Sequence, residues 1–103
     1  SGTGTRLELH EILCKALGTR YVYFQPPESV QIRYPCIVYE QEAPGTTYAN
    51  NFPYRFSGKY RVVVIDKDPD SKIPSKIAAL QTARAERPYT ADNLHHFPFQ
   101  LYF

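Results

Sequence analysis

The chain has 103 residues, enough for one domain with a small core, and no linker or composition shift marks a second. It is 43% hydrophobic and 21% charged with a formal charge of +2, an ordinary folded profile, and its basic residues are scattered instead of forming a phosphate-tracking patch. No apolar run approaches the roughly 20 residues that span a bilayer, and no signal-peptide core stands at the N-terminus, so a cytosolic product is expected.

Nine Tyr and six Phe, without Trp or Met, make the chain aromatic-heavy. In so small a domain some rings must lie near the surface, where tyrosine combines an apolar face with a polar tip suited to interfaces. A β-rich composition alone produces the same counts. Cys14 and Cys36 fall in a predicted helix and strand among apolar neighbours. That setting predicts buried free thiols in preference to a disulfide.

Residues 1–4 read as a flexible leader or cloning scar, leaving 5–103 as a single domain. Thr5 and Glu8 have the spacing of a capping box. Leu9, Ile12, Leu13, Ala16 and Leu17 follow at helical spacing, and Gly18 suits the left-handed position that ends such a helix. Residues 21–24 predict a short strand, stopped by Pro26 and Pro27, which remove two amide donors and turn the chain away from a sheet interior. Residues 34–40 predict a second strand with Pro35 near its beginning or on an edge.

From 41 to 57 turn residues mix with four aromatics, Tyr48, Phe52, Tyr54 and Phe56. Long loops in compact domains commonly carry function, and these rings are expected to dock onto a neighbour; the plainer alternative folds them back on their own sheet. Residues 60–65 then form a β-branched and aromatic run without clean alternation, expected of a strand covered on both faces near the centre of a sheet. A second helix is predicted from Ser71 or Asp70 as cap to about Gln81, with Ile73, Ile77 and Leu80 on one face and Pro74 in its first turn. Residues 83–89 read as one extended segment and 90–93 as a turn. The last segment alternates, with Phe97, Phe99, Leu101 and Phe103 on one face, and Pro98 places it towards an edge. The order is α-β-β-β-α-β-β: an α+β fold with a single mixed sheet of about five strands and two helices packed on it.

Candidate chemistry is sparse. Asp66, Asp68 and Asp70 open like a calcium loop, but its glycine position holds Ser71 and its bidentate glutamate position holds Ile77. Carboxylates before a helix already have a structural role there, accepting free amides. His95 and His96 are adjacent, so a strand points them to opposite faces, and His10 stands on a distant helix. No spacing supports zinc, no nucleophile elbow is present, and the five glycines form no phosphate loop. No catalytic site, metal or cofactor is expected.

Five segments together resemble the tail-completion, or tail-terminator, proteins of tailed phages: RLELHEILC (6–14), VYFQPPE (22–28), YPCIVY (34–39), YRVVVIDKDPD (60–70) and YTADNLHHF (89–97). The resemblance covers nearly all of residues 6–103 in order. It implies a non-enzymatic virion protein that forms a ring, usually hexameric, on the head-proximal end of a long non-contractile tail. Such a ring stops tube polymerisation, contacts the tail tube protein and offers the docking surface for a head connector or stopper protein. DNA passes through its lumen, no membrane is involved, and assembly takes place in the bacterial cytoplasm. Against that role, Tyr48, Phe52, Tyr54 and Phe56 are the expected subunit or tail-tube contacts, and Asp66, Asp68 and Asp70 an acidic lumen surface. Other readings are a different head–tail joining or minor tail protein, or a small nucleic-acid-binding module.

Overall fold

The computed structural model describes residues 6–41, 59–80 and 82–102. Helix α1 (Arg6–Leu17) forms where the apolar stripe predicts it, burying Leu9, Leu13 and Leu17 together with Cys14. Gly18 closes it at φ 89°, donating its amide to the Cys14 carbonyl at 2.8 Å. That left-handed conformation is one a glycine takes without a Cβ penalty. Thr5, half of the expected capping box, lies outside the described residues.

The remaining elements are β1 (Val22–Phe24), β2 (Cys36–Gln41), β3 (Lys59–Asp66), α2 (Ile73–Ala78), β4 (Ala83–Ala85), β5 (Tyr89–Ala91) and β6 (Leu94–Tyr102). The described strands form one mixed six-stranded sheet in the order β1-β2-β3-β6-β4, with β5 also paired to β6. The fold is α+β. β1 runs parallel to β2, whereas every other pairing is antiparallel. The connection 25–35 that permits the parallel step bends at Gln25 (φ 44°), contains a cis peptide before Pro35, and places the Arg33 amide 3.4 Å from the Tyr23 hydroxyl.

β3 is central, flanked by β2 and β6, as its continuous run predicts. Cross-strand registers sort its residues into two faces, because neighbouring strands pair residues of the same face. On the inner face Val64 aligns with Ile37 and Phe97, Val62 with Tyr39 and Phe99, and Tyr60 with Leu101. Leu9, Leu13 and Leu17 of α1 and Ile77 of α2 join these residues in one core, so both described helices lie on that face. The outer face carries Val38, Arg61, Val63, Ile65, His96, Pro98 and Gln100.

Four expectations need correction: the place of the last strand, the single segment 83–89, the turn 90–93, of which Thr90 and Ala91 belong to β5, and the length of the second helix. The strand containing Pro98 is interior, not an edge: β3 lies on one side of β6, and β4 and β5 lie on the other. Pro98 accepts the Glu86 amide at 2.9 Å, so its backbone polar side faces β4 and β5. The missing N–H therefore falls where the partner strand is interrupted between Ala85 and Tyr89, and no bond to β3 is lost. For the same reason residues 83–89 are not one extended segment. The ladder cannot continue past Glu86 opposite a proline, and pairing resumes only at Tyr89 with His96. β5 then turns into β6 through Asp92 and Asn93, whose φ values of 53° and 63° suit a tight hairpin turn.

The second helix is also shorter than expected, ending at Ala78 with Ala79 as C-cap. Its last turn tightens, Leu80 donating to the Ile77 carbonyl at 3.0 Å and Ala83 to the Leu80 carbonyl at 3.1 Å. The chain thereby reaches β4 directly from the helix end.

Candidate functional site

The four aromatics expected to dock, Tyr48, Phe52, Tyr54 and Phe56, lie outside the described residues. The acidic triplet is described and forms one turn at the end of β3. Asp66 is half-buried, while Asp68 and Asp70 are exposed. Asp66 Oδ1 accepts the Asp68 amide at 3.1 Å, and Asp68 Oδ1 accepts the Asp70 amide at 2.9 Å. Asp66 and Asp68 thus each bond the amide two residues ahead, the Asx-turn geometry. This corrects the expected helix cap: the N-cap residue is Lys72, which makes no side-chain cap bond. Ser71 Oγ instead accepts the Ile73 amide at 3.3 Å. The carboxylates are nearer their own turn than the helix start, so the turn takes them first.

Among the described residues no group of three or more His, Cys, Asp or Glu is placed to hold a metal. The histidines are dispersed, as their spacing predicts. His95 pairs across the sheet with Asp66 and approaches the Thr90 hydroxyl at 3.5 Å. On the opposite face His96 stacks on Tyr89 at 4.7 Å with an interplanar angle of 14°. Cys14 and Cys36 are buried free thiols. Burial raises the pKa of both. For Cys36 it reaches about 12, with the nearby Asp66 charge a second, smaller cause.

The outer face is mixed in burial: Cys36, Val63 and Pro98 are buried, while Glu40 and Arg84 are exposed. Across the outer face Glu40, Arg61, Gln100 and Arg84 align in one row, and Gln100 Nε2 donates to Glu86 Oε2 at 3.0 Å. The next row is apolar, with Val38, Val63 and Pro98. Tyr102, 53% exposed, and Tyr89, 45% exposed, bound this face at opposite ends of β6. At the β4–β5 break a groove of about 260 Å³ opens between α2 and β6. Pro74, Ala78, Pro88, Phe97 and Phe99 contribute to its apolar lining. Pro74, Pro88 and Pro98, all in the lining, offer no amide donor, so the groove suits an apolar side chain.

One group escaped the sequence reading. Tyr39, 1% exposed, brings its hydroxyl to 2.8 Å from His10 Nδ1 and 3.2 Å from Arg6 Nη1. Arg6 also lies over the Phe24 ring, 4.3 Å from its centroid. Burial raises the Tyr39 pKa and, together with Arg6, lowers that of His10. The available signal was a polar residue flanking the apolar stripe of α1, which identified no partner 29 residues away. No helix among the described residues is long and apolar enough to cross a membrane.

No family model, curated protein or solved structure matches the chain.

Proposed function

We propose that the chain is a structural phage virion protein, without enzymatic activity, that caps the head-proximal end of the tail tube as a ring and presents the docking surface for a head connector or stopper. The reading starts from the resemblance of residues 6–103 to tail-completion proteins. The observation that carries it further is the presence of two unlike edges on one sheet. β1 ends the sheet on one side, with Tyr21 and two following prolines; β4 and β5 end it on the other, with their break and apolar groove. A closed ring needs a heterologous interface, hence two different patches on each subunit. Two distinct edges of one sheet fit that requirement.

In this reading Tyr48, Phe52, Tyr54 and Phe56 meet a neighbouring subunit or the tail tube protein. The turn bearing Asp66, Asp68 and Asp70 faces the lumen, where exposed carboxylates repel phosphate and let DNA pass without being gripped. The ring is hexameric in the virion neck and is assembled in the bacterial cytoplasm. Mass measurement of the chain alone and with purified tail tubes tests this. Ring formation on the tubes, with tube length then fixed, is expected. A chain that neither associates with tubes nor arrests their growth refutes the reading. Deletion of 42–57 separates the parts: if capping and ring formation both survive, the aromatic contacts are wrong while the ring stands.

A nucleic-acid-binding module is a second reading, favoured by Arg61 and Arg84 flanking Gln100 on the outer face. Glu40 aligns with Arg61, and Glu86 bonds Gln100, so negative charge interleaves that patch. Tight DNA binding with a steep salt slope selects the module; weak binding selects the ring.

A further inference from the structure

The Tyr39 hydroxyl is held inside the molecule by two partners of opposite hydrogen-bonding character. The Arg6 guanidinium can only donate, so Tyr39 Oη accepts from Nη1 at 3.2 Å. The phenolic proton then needs an acceptor, and His10 Nδ1 stands 2.8 Å away. No buried side-chain polar atom among the described residues lacks a hydrogen-bond partner. A neutral His10 with its proton on Nε2 supplies that acceptor.

We infer that Arg6, His10 and Tyr39 form a proton-operated latch, which holds the first turns of α1 on the sheet at neutral pH and releases them in acid. Protonation of His10 converts Nδ1 from acceptor to donor. Tyr39 Oη then faces two donors, in a residue only 1% exposed whose ring packs against those of Phe24 and Tyr60. A buried hydroxyl proton left without an acceptor carries a desolvation penalty. The new imidazolium also stands beside the Arg6 charge, which opposes it.

The groups facing His10 oppose its protonation on balance. From α1, Arg6 opposes its protonation and Glu11 favours it; beyond the helix end Arg20 opposes it; β2 contributes the neutral Tyr39. Burial is the largest effect and also opposes the charge, so the folded-state pKa lies below the ordinary 6.5. The folded state therefore binds fewer protons than the unfolded state through this interval. The latch acts fully above the unfolded value and is lost as pH falls through the lower folded value.

Release is confined to one end of α1. Within Arg6–His10 only Leu9 is fully buried, whereas Leu13, Cys14 and Leu17 anchor the rest of the helix in the core.

The test is nitrogen NMR and amide exchange on the whole chain from about pH 7.5 to about pH 5, corrected for intrinsic exchange rates. At neutral pH His10 should carry its proton on Nε2. As His10 titrates, protection of the amides of 10–12, which bond the carbonyls of the first turn, should fall on the order of fivefold, the factor set by one lost hydrogen bond of about 1 kcal/mol. Protection across 14–17 should hold. Tyr39→Phe should remove the pH dependence of 10–12, as should His10→Gln, which does not titrate. A proton on Nδ1 at neutral pH overturns the latch. So does unchanged protection while His10 titrates, or pH dependence that persists in Tyr39→Phe. The wild-type tautomer decides the matter even where a variant fails to fold.

Discussion

The two faces of the sheet are built from the same strands and the same ladders, yet they differ in what lies over them. On the inner face Ile37, Tyr39, Tyr60, Val62, Val64, Phe99 and Leu101 are all buried against α1 and α2. On the outer face Arg61, Ile65, His96 and Gln100 are only half-buried, and polar groups share rows with apolar ones. A strand has period 2, so each residue added to one strand supplies one face and then the other. The inner face thus carries the contacts to both described helices, while the outer face mixes half-buried polar residues with the buried Cys36, Val63 and Pro98.

The largest expected effect breaks or upholds this contrast directly. Leu13→Ala removes a fully buried side chain from the inner core and should cost about 2–5 kcal/mol, measured by urea unfolding. Ile65→Ala on the outer face should cost well under half as much. Equal losses would mean that both faces carry the fold equally.

Cys36 limits the contrast, because it belongs to the outer face but is fully buried. With its folded pKa at about 12 against an ordinary 9.0, the unfolded thiol ionises first as pH rises. The folded state then holds more protons, so this contribution to stability is intact below the ordinary value and declines above it. Cys36→Ala should flatten the alkaline limb of a stability profile. Native Cys36 should also resist thiol reagents at mildly alkaline pH until the protein unfolds. Rapid labelling of the folded chain would place that corner of the outer face in contact with solvent.

Pro98→Val should change stability by no more than about 1 kcal/mol, because a restored amide offsets the lost rigidity of the proline ring. The informative readout is amide exchange at position 98. A protected amide indicates that the β4 ladder has lengthened, and an unprotected one that the break at residues 86–88 has another cause. The smallest effect belongs to Arg61→Ala, expected within about 0.5 kcal/mol in the isolated chain. A larger loss would show that the polar row of the outer face is part of the packing.

Much of this was legible locally. The stripe from Leu9 to Leu17, the stop at Gly18, the tracts that became β1, β2 and β3, and the turn before β6 follow from periodicity and backbone preference within a few residues. The acidic turn was also visible, but its carboxylates serve their own amides and not the helix end, a choice of local geometry that residue identity left open. Of the expected contacts, Tyr48, Phe52, Tyr54 and Phe56 lie outside the described residues. The Arg6–His10–Tyr39 group was invisible because its members gain meaning only when α1 lies across β2.

The amino-acid sequence alone therefore determined α1, the tracts of β1 to β3 and the α+β class, since helical and strand periodicities act over neighbouring residues. Tertiary structure alone decided that β1 pairs parallel to β2, that a proline-bearing strand lies inside the sheet, and that a histidine beside the apolar stripe meets a buried phenol. Each depends on which backbone or side chain stands opposite. Pro98 is tolerated within the sheet because its missing donor faces a break in β4–β5, a relation that arises only when distant segments are set in register.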